Sequence, residues 1–144
     1  MHATLVKFGY PATIVRDYRH WCVLLRPAQV TLGALVLAAK SEELAFSALP
    51  DEAFAEFPLV IREIEQGLGE FRPYDRINYL MLMMVDPHVH FHVLPRYALP
   101  QKFAGSQFLD AGWPGPPDLK SATDVAEGVR ARLLHETQRC WPKT

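Results

Sequence analysis

The alternation of apolar runs with turn-forming residues predicts three short strands early in the chain, over 12–15, 21–25 and 33–38. Arg26-Pro27 and the polar residues 29–31 separate the second from the third, which predicts a hairpin. Ser41-Glu42-Glu43 opens a short helical stretch over 42–46. A long helix is expected from Pro50-Asp51, with Asp51 as its N-cap and Glu52 in the first turn. Phe54, Phe57, Ile61, Ile64 and Leu68 recur at spacings of three and four, one apolar stripe facing a core. Pro58 is expected to kink this helix, and Gly67 and Gly69 to end it.

Residues 77–85 are apolar at almost every position, a pattern shared by a strand buried on both faces and a buried helix. The turn signal Asp86-Pro87 and the period-two alternation after it favour two long strands, 77–85 and 88–94, with a tight connection. Beyond Pro95 the chain reads as loop, punctuated by Pro100, Gly105, Gly112, Pro114, Gly115, Pro116 and Pro117. Phe103, Phe108 and Trp113 within it imply that it packs over something. Ser121 with Asp124 resembles a capping box before a last helix to about Arg139, with Val125, Val129, Leu133 and Leu134 on its apolar side. These elements make an α+β chain: an antiparallel sheet, a long helix packed on it and a C-terminal helix. They fit one domain over 1–144, with a core over about 12–97 and a loop and helix over 98–144.

Composition narrows the possibilities. With 144 residues, 49% of them hydrophobic and 22% charged, the chain is globular and long enough to bury a core. A formal net charge of −1 provides no general attraction to nucleic acid or to an acidic membrane, so a small anion must be held by local groups. Cys22 and Cys140 lie too far apart in sequence for a C-x-x-C pair and read as reduced thiols. No apolar stretch reaches the ~18–20 residues that span a bilayer, and the start of the chain lacks a signal-peptide layout. A soluble, cytoplasmic protein is expected.

The chemistry concentrates in His88-Val89-His90-Phe91-His92-Val93-Leu94. On a strand the three histidines share one face, and Val89, Phe91 and Val93 share the other. The apolar face has the long helix to pack against. Three imidazoles do not improve a core, because each carries nitrogens that need partners. A metal site from His88 and His90, or His90 and His92, with a carboxylate such as Asp86 is one use of the histidines. Convergence of all three on one ion at ~2 Å would require a bent strand. Nucleophilic catalysis is the other use: an imidazole with one nitrogen held protonated and the other free attacks phosphorus, while its neighbours donate hydrogen bonds. His90, flanked on both sides, is then the nucleophile.

This run resembles the signature of the histidine triad nucleotide hydrolase and transferase superfamily, three histidines alternating with hydrophobic residues. The long apolar run before it, Pro95-Arg96 after it and the earlier hairpin and helix extend the resemblance over about 12–97. It implies an α+β histidine-triad-like fold, usually a homodimer, and a covalent nucleotidyl-histidine intermediate on His90. It also implies contact of His92 with the phosphate and leaving group, and orientation of the nucleophile through hydrogen bonds from His88. No metal or other cofactor is implied. Dinucleoside polyphosphates, nucleoside phosphoramidates and adenylated conjugates are the implied substrates.

Two departures stand out. Many relatives carry further histidines at the third strand, whereas 33–41 keeps Gly33 and has none. Many also have a glycine-rich phosphate loop before the triad, where this chain has Met84-Val85-Asp86-Pro87, and Asp86 would bring negative charge towards the phosphate. A nucleotide-binding module without turnover therefore stays open beside the enzyme. Asn78 and Arg96 are candidate phosphate or ribose contacts, with backbone bonding and solvation as their plainer uses. Phe8, Tyr10, Trp21 and Leu24 are candidates for a base pocket or for core. His20 and His135 read as surface residues, and Met81, Met83 and Met84 as core filler.

Overall fold

In a computed structural model that describes residues 1–143, the apolar runs become the strands of an antiparallel sheet flanked by helices. In chain order the elements are α1 (Ala3–Lys7), β1 (Ile14–Asp17), β2 (Trp21–Leu25), β3 (Ala28–Gln29), β4 (Leu35–Ala39), α2 (Asp51–Phe71), β5 (Arg76–Leu80), β6 (His90–Arg96), β7 (Gln101–Phe103), β8 (Ser106–Phe108), β9 (Thr123–Asp124) and α3 (Glu127–Cys140). The main sheet has the order β1-β2-β4-β6-β5, and its pairings are all antiparallel. The fold is α+β. No described helix is long and apolar enough to cross a membrane, and both cysteines are free.

The expected hairpin is β2 with β4, in register from Trp21 opposite Ala39 to Leu25 opposite Leu35. Every residue of these two strands is buried, because the sheet is covered on both faces. On one face Val23, Leu25, Leu35, Leu37 and Val93 pack with Val60, Ile64 and Leu68 of α2. On the other, Cys22, Leu24, Val36 and Ala38 pack with Leu5 of α1 and with Phe8. The pleat thus sends alternate residues of one strand into two separate cores.

Helix α2 differs from expectation at both ends. Pro50 is its N-cap and Asp51 its first residue, and the helix runs as one span through Pro58, Gly67 and Gly69 to Phe71. Gly67 does not end the helix; it admits another. A Cβ there would lie 2.4 Å from Trp141 Cε3, so the glycine lets the indole at the end of α3 reach the α2 backbone. Of the sequence stripe, Ile64 and Leu68 are buried, whereas Phe54 is exposed and meets Phe46 at the rim.

Further corrections concern the loops. The second half of the apolar run 77–85 is not strand: β5 stops at Leu80, and the connection to β6 spans 81–89, with Met83 in the left-handed region at φ 51°. Met84 is 84% exposed and is not core filler. β6 begins at His90, two residues later than expected, and continues through Pro95 to Arg96. The stretch after it contains the β7–β8 hairpin, whose turn residues Ala104 and Gly105 both have positive φ. Phe103 and Phe108 of that hairpin enter the main core. Ser121 forms no capping box with Asp124; its hydroxyl donates to Asp118 at 2.6 Å, and α3 starts only at Glu127.

The Gly67–Trp141 contact makes a testable demand. Gly67→Ala should cost about 1–3 kcal/mol in urea unfolding through overpacking. Gly128→Ala, where a Cβ meets open space at the start of α3, should be neutral or stabilising by up to about 1 kcal/mol.

Candidate active site

β6 and β4 pair with His90 opposite Ala38 and His92 opposite Val36. Both histidines therefore share the face that carries Leu24, Val36 and Ala38 and that α1 covers. Phe91 and Val93 point to the α2 side, where Phe91 meets Trp21 and Phe57. His90 is 2% exposed and His92 8% exposed. A cleft of about 240 Å³ opens beside them, walled by Lys7 and Phe8 at the end of α1, Arg26 after β2, and residues 82–86 of the loop before β6.

Hydrogen bonding fixes the tautomer of His90. Its Nδ1 lies 2.7 Å from the carbonyl oxygen of His88. A carbonyl only accepts, so Nδ1 carries the proton and Nε2 is left with the lone pair in the neutral ring. The Phe8 ring stands 5.9 Å from both His90 and His92 and closes one side of the cleft.

His88 itself lies before the strand, and it is its backbone, not its imidazole, that orients His90. The His88 ring turns towards the start of the chain. Its Nδ1 is 3.0 Å from Thr4 Oγ1, and it stacks on His2 with ring centroids 4.1 Å apart and planes 9° from parallel. His2 is held at both nitrogens: Nε2 donates to Ala39 O at 2.7 Å, and Nδ1 accepts from Leu5 N–H at 3.3 Å. That pattern defines a neutral ring, and burial accordingly lowers the His2 pKa. His2 and Thr4 were invisible as site residues in the sequence. Only the distance of 84 residues closed by the Thr4–His88 bond reveals them.

His92 Nδ1 is buried and has no hydrogen-bond partner among the described residues. Burial, with further contributions from His90 and Arg26, pulls the His92 pKa down from 6.5 to about 4. At neutral pH the ring is therefore uncharged.

The remaining sequence candidates separate. Asp86 does not confront the cleft as free negative charge, because Lys7 Nζ pairs with it at 2.8 Å. Nor does it complete a metal site with two histidines: no three His, Cys, Asp or Glu side chains among the described residues are placed to share an ion. Arg96 and Asn78 lie elsewhere. Arg96 is six residues along β6 from His90, ~20 Å at strand rise. Its Nε and Nη2 donate to Asp110 at 2.6 and 2.9 Å, its Nη1 to Asn78 Oδ1 at 2.7 Å and its Nη2 to Gly115 O at 2.9 Å. Both residues edge a separate hollow beside Trp113. Of the four base-pocket candidates only Phe8 lines the histidine cleft, while Trp21 donates its indole N–H to Ala53 O on the other face.

Two outcomes follow. The lowered pKa of His92 means that the unfolded chain takes up a proton below pH 6.5 that the folded chain refuses until about pH 4. Its contribution to stability is complete above pH 6.5 and falls away across that window, by on the order of 3 kcal/mol. Urea unfolding between pH 8 and pH 4 should show a flatter acid limb for His92→Gln than for the wild type. Separately, Arg96→Met strands the Asp110 carboxylate, which is 2% exposed. It should cost about 3–5 kcal/mol in the same assay.

No protein-family model matches the chain, and none of the curated proteins matches it in sequence. Solved structures do match its shape. A histidine triad protein from Marinobacter aquaeolei VT8 superposes with a TM-score of 0.74 at 20% identity, covering 98% of this chain and 94% of that one. A histidine triad protein from Bradyrhizobium japonicum gives 0.73 at 16% identity over 99% and 97%. A hypothetical histidine triad nucleotide-binding protein from Sulfolobus tokodaii strain7 gives 0.67 at 15% over 95% and 88%. The three-dimensional likeness spans almost the whole chain, and with it the protein is shown to have the fold of the histidine triad proteins.

Proposed function

We propose that the chain is a histidine triad nucleotide hydrolase or nucleotidyl transferase that attacks the α-phosphate of a nucleotide conjugate through His90. The observation that carries this reading is the bond from His90 Nδ1 to His88 O beside an open cleft, which in the neutral ring leaves the lone pair on Nε2, the nitrogen that the reading needs as nucleophile. In the first step the Nε2–phosphorus bond forms and the bond from phosphorus to the leaving-group oxygen or nitrogen breaks. In the second, water or another acceptor attacks phosphorus, the phosphorus–nitrogen bond breaks and His90 returns to its starting state. His92, neutral and beside His90, offers a ring N–H to the phosphoryl or leaving-group side. The nucleotide-binding description of the Sulfolobus tokodaii structure supports the ligand class. The cleft is smaller than the ~300–1,000 Å³ of sites that enclose a whole ligand. It suits the reacting phosphate, with the nucleoside on the open rim beside the exposed Leu82, Met84 and Val85. The same reading takes 1–144 as one catalytic unit, homodimeric and cytoplasmic, with no cofactor.

The test is incubation of wild type and His90→Ala with a fluorogenic adenosine phosphoramidate and a diadenosine polyphosphate in EDTA, followed by intact mass of protein quenched in alkaline denaturant, which preserves a phosphorus–nitrogen bond. Wild type should turn over and carry an adenylyl adduct at His90, and His90→Ala should lose at least about a thousandfold in rate. Nucleotide binding without adduct or turnover would leave the binding-module reading instead.

A further inference from the structure

Two arginines, Arg96 buried and Arg26 partly buried, sit on the histidine face of the sheet, and they are treated in opposite ways. Arg96 is fully compensated: a carboxylate and two further oxygens take its donors. Arg26 has no carboxylate within ion-pair distance among the described residues; its one side-chain bond is from Nη1 to Ala28 O at 2.6 Å. Its Nε is buried without an acceptor, and burial lowers its pKa. An uncompensated, partly desolvated cation is costly, and folded proteins keep one where a ligand supplies the missing charge.

Position agrees with that. Arg26 follows β2, two residues past Leu24, which lies opposite Val36, which in turn lies opposite His92. It walls the same cleft as His90 and His92. Its backbone is rigidly placed: N–H donates to Ala34 O at 3.0 Å, and the carbonyl accepts from Gln29 Nε2 at 2.7 Å. Gln29, 1% exposed, is itself tied to Gly33 N–H at 2.7 Å. The other cation at the cleft, Lys7, is already engaged with Asp86. His92 brings no charge.

We propose that Arg26 is the anion-holding residue of this site, its Nη2, which has no partner among the described residues, donating to a phosphoryl oxygen of the bound nucleotide. The proposal rests on the reading of the cleft as a nucleotide site. It assigns the anion-holding role to one guanidinium after β2, on the wall of the cleft that holds His90 and His92. The planar fork suits two phosphate oxygens at once, which an ammonium does not.

The experiment separates binding from chemistry by using His90→Asn, in which no adduct forms, as the background. ATP and adenosine are titrated by calorimetry into His90→Asn, His90→Asn/Arg26→Gln and His90→Asn/Arg26→Lys, at 50 and 300 mM salt. Arg26→Gln should weaken ATP by about 10- to 100-fold and flatten its salt dependence, while the response to adenosine stays unchanged. Arg26→Lys should recover part of the loss. Because the replaced cation has no carboxylate to strand, thermal melting of Arg26→Gln should not fall as it does for Arg96→Met. Equal ATP affinity with and without Arg26, or a melting temperature lowered as far as in Arg96→Met, would overturn the proposal and leave the His90 adduct reading standing. Failure of the His90→Asn background to bind ATP at all would overturn both the proposal and the nucleotide reading of the cleft.

Discussion

A histidine ring buried in an apolar sheet must give away its N–H, and in this protein that requirement organises the site. His90 lies within β6 with an alanine of β4 opposite it, so neither neighbouring strand offers a side-chain acceptor at that level. The acceptor comes from its own chain, the His88 carbonyl, presented by the bend before β6. For that carbonyl to stay in place, the His88 side chain must be anchored elsewhere, and α1 provides the anchor. Thr4 bonds the His88 ring, and His2 stacks on it while bonding both β4 and α1. The N-terminal helix is therefore a structural half of the surroundings of His90.

The charge pattern follows from the same burial. With a net charge of −1 overall, the chain has no general field for an anion. At the cleft, Lys7 neutralises Asp86, His92 is kept uncharged by desolvation, and Arg26 is left as positive charge without a carboxylate among the described residues. Further along β6, Arg96 shows what a structural arginine looks like, with every face of its guanidinium used. The same residue type on the same side of one sheet serves stability at one end and is spare at the other.

The second face of β6 supplies rigidity. Val93 packs into the α2 core, and Phe91 sits against Phe57 and Trp21. α3 in turn presses Trp141 onto Gly67. The histidine face is thus carried by a strand whose other face is packed, while residues 81–89 form a loop with apolar side chains at the cleft mouth. A packed strand beside an exposed loop is the division that binding sites commonly use.

Much of this was legible in the chain itself. Alternation in 88–94 and the three- and four-residue spacing in α2 are local consequences of pleat and helix geometry, and they identified the sheet, the long helix and the histidine face. Where strand gives way to loop in 77–85 was not legible, because an apolar run reads alike whether it lies in a sheet or lines a cleft. Gly67 read as a helix end because only the packed Trp141 shows why a side chain cannot fit. Arg96 and Asn78 were near the triad in sequence but are drawn off by Asp110, and Arg26 and His2, remote in sequence, are drawn in. Local periodicity determined which residues share a face. Only the folded chain decided which charges found partners, since a partner is a matter of distance across strands and not of spacing along one.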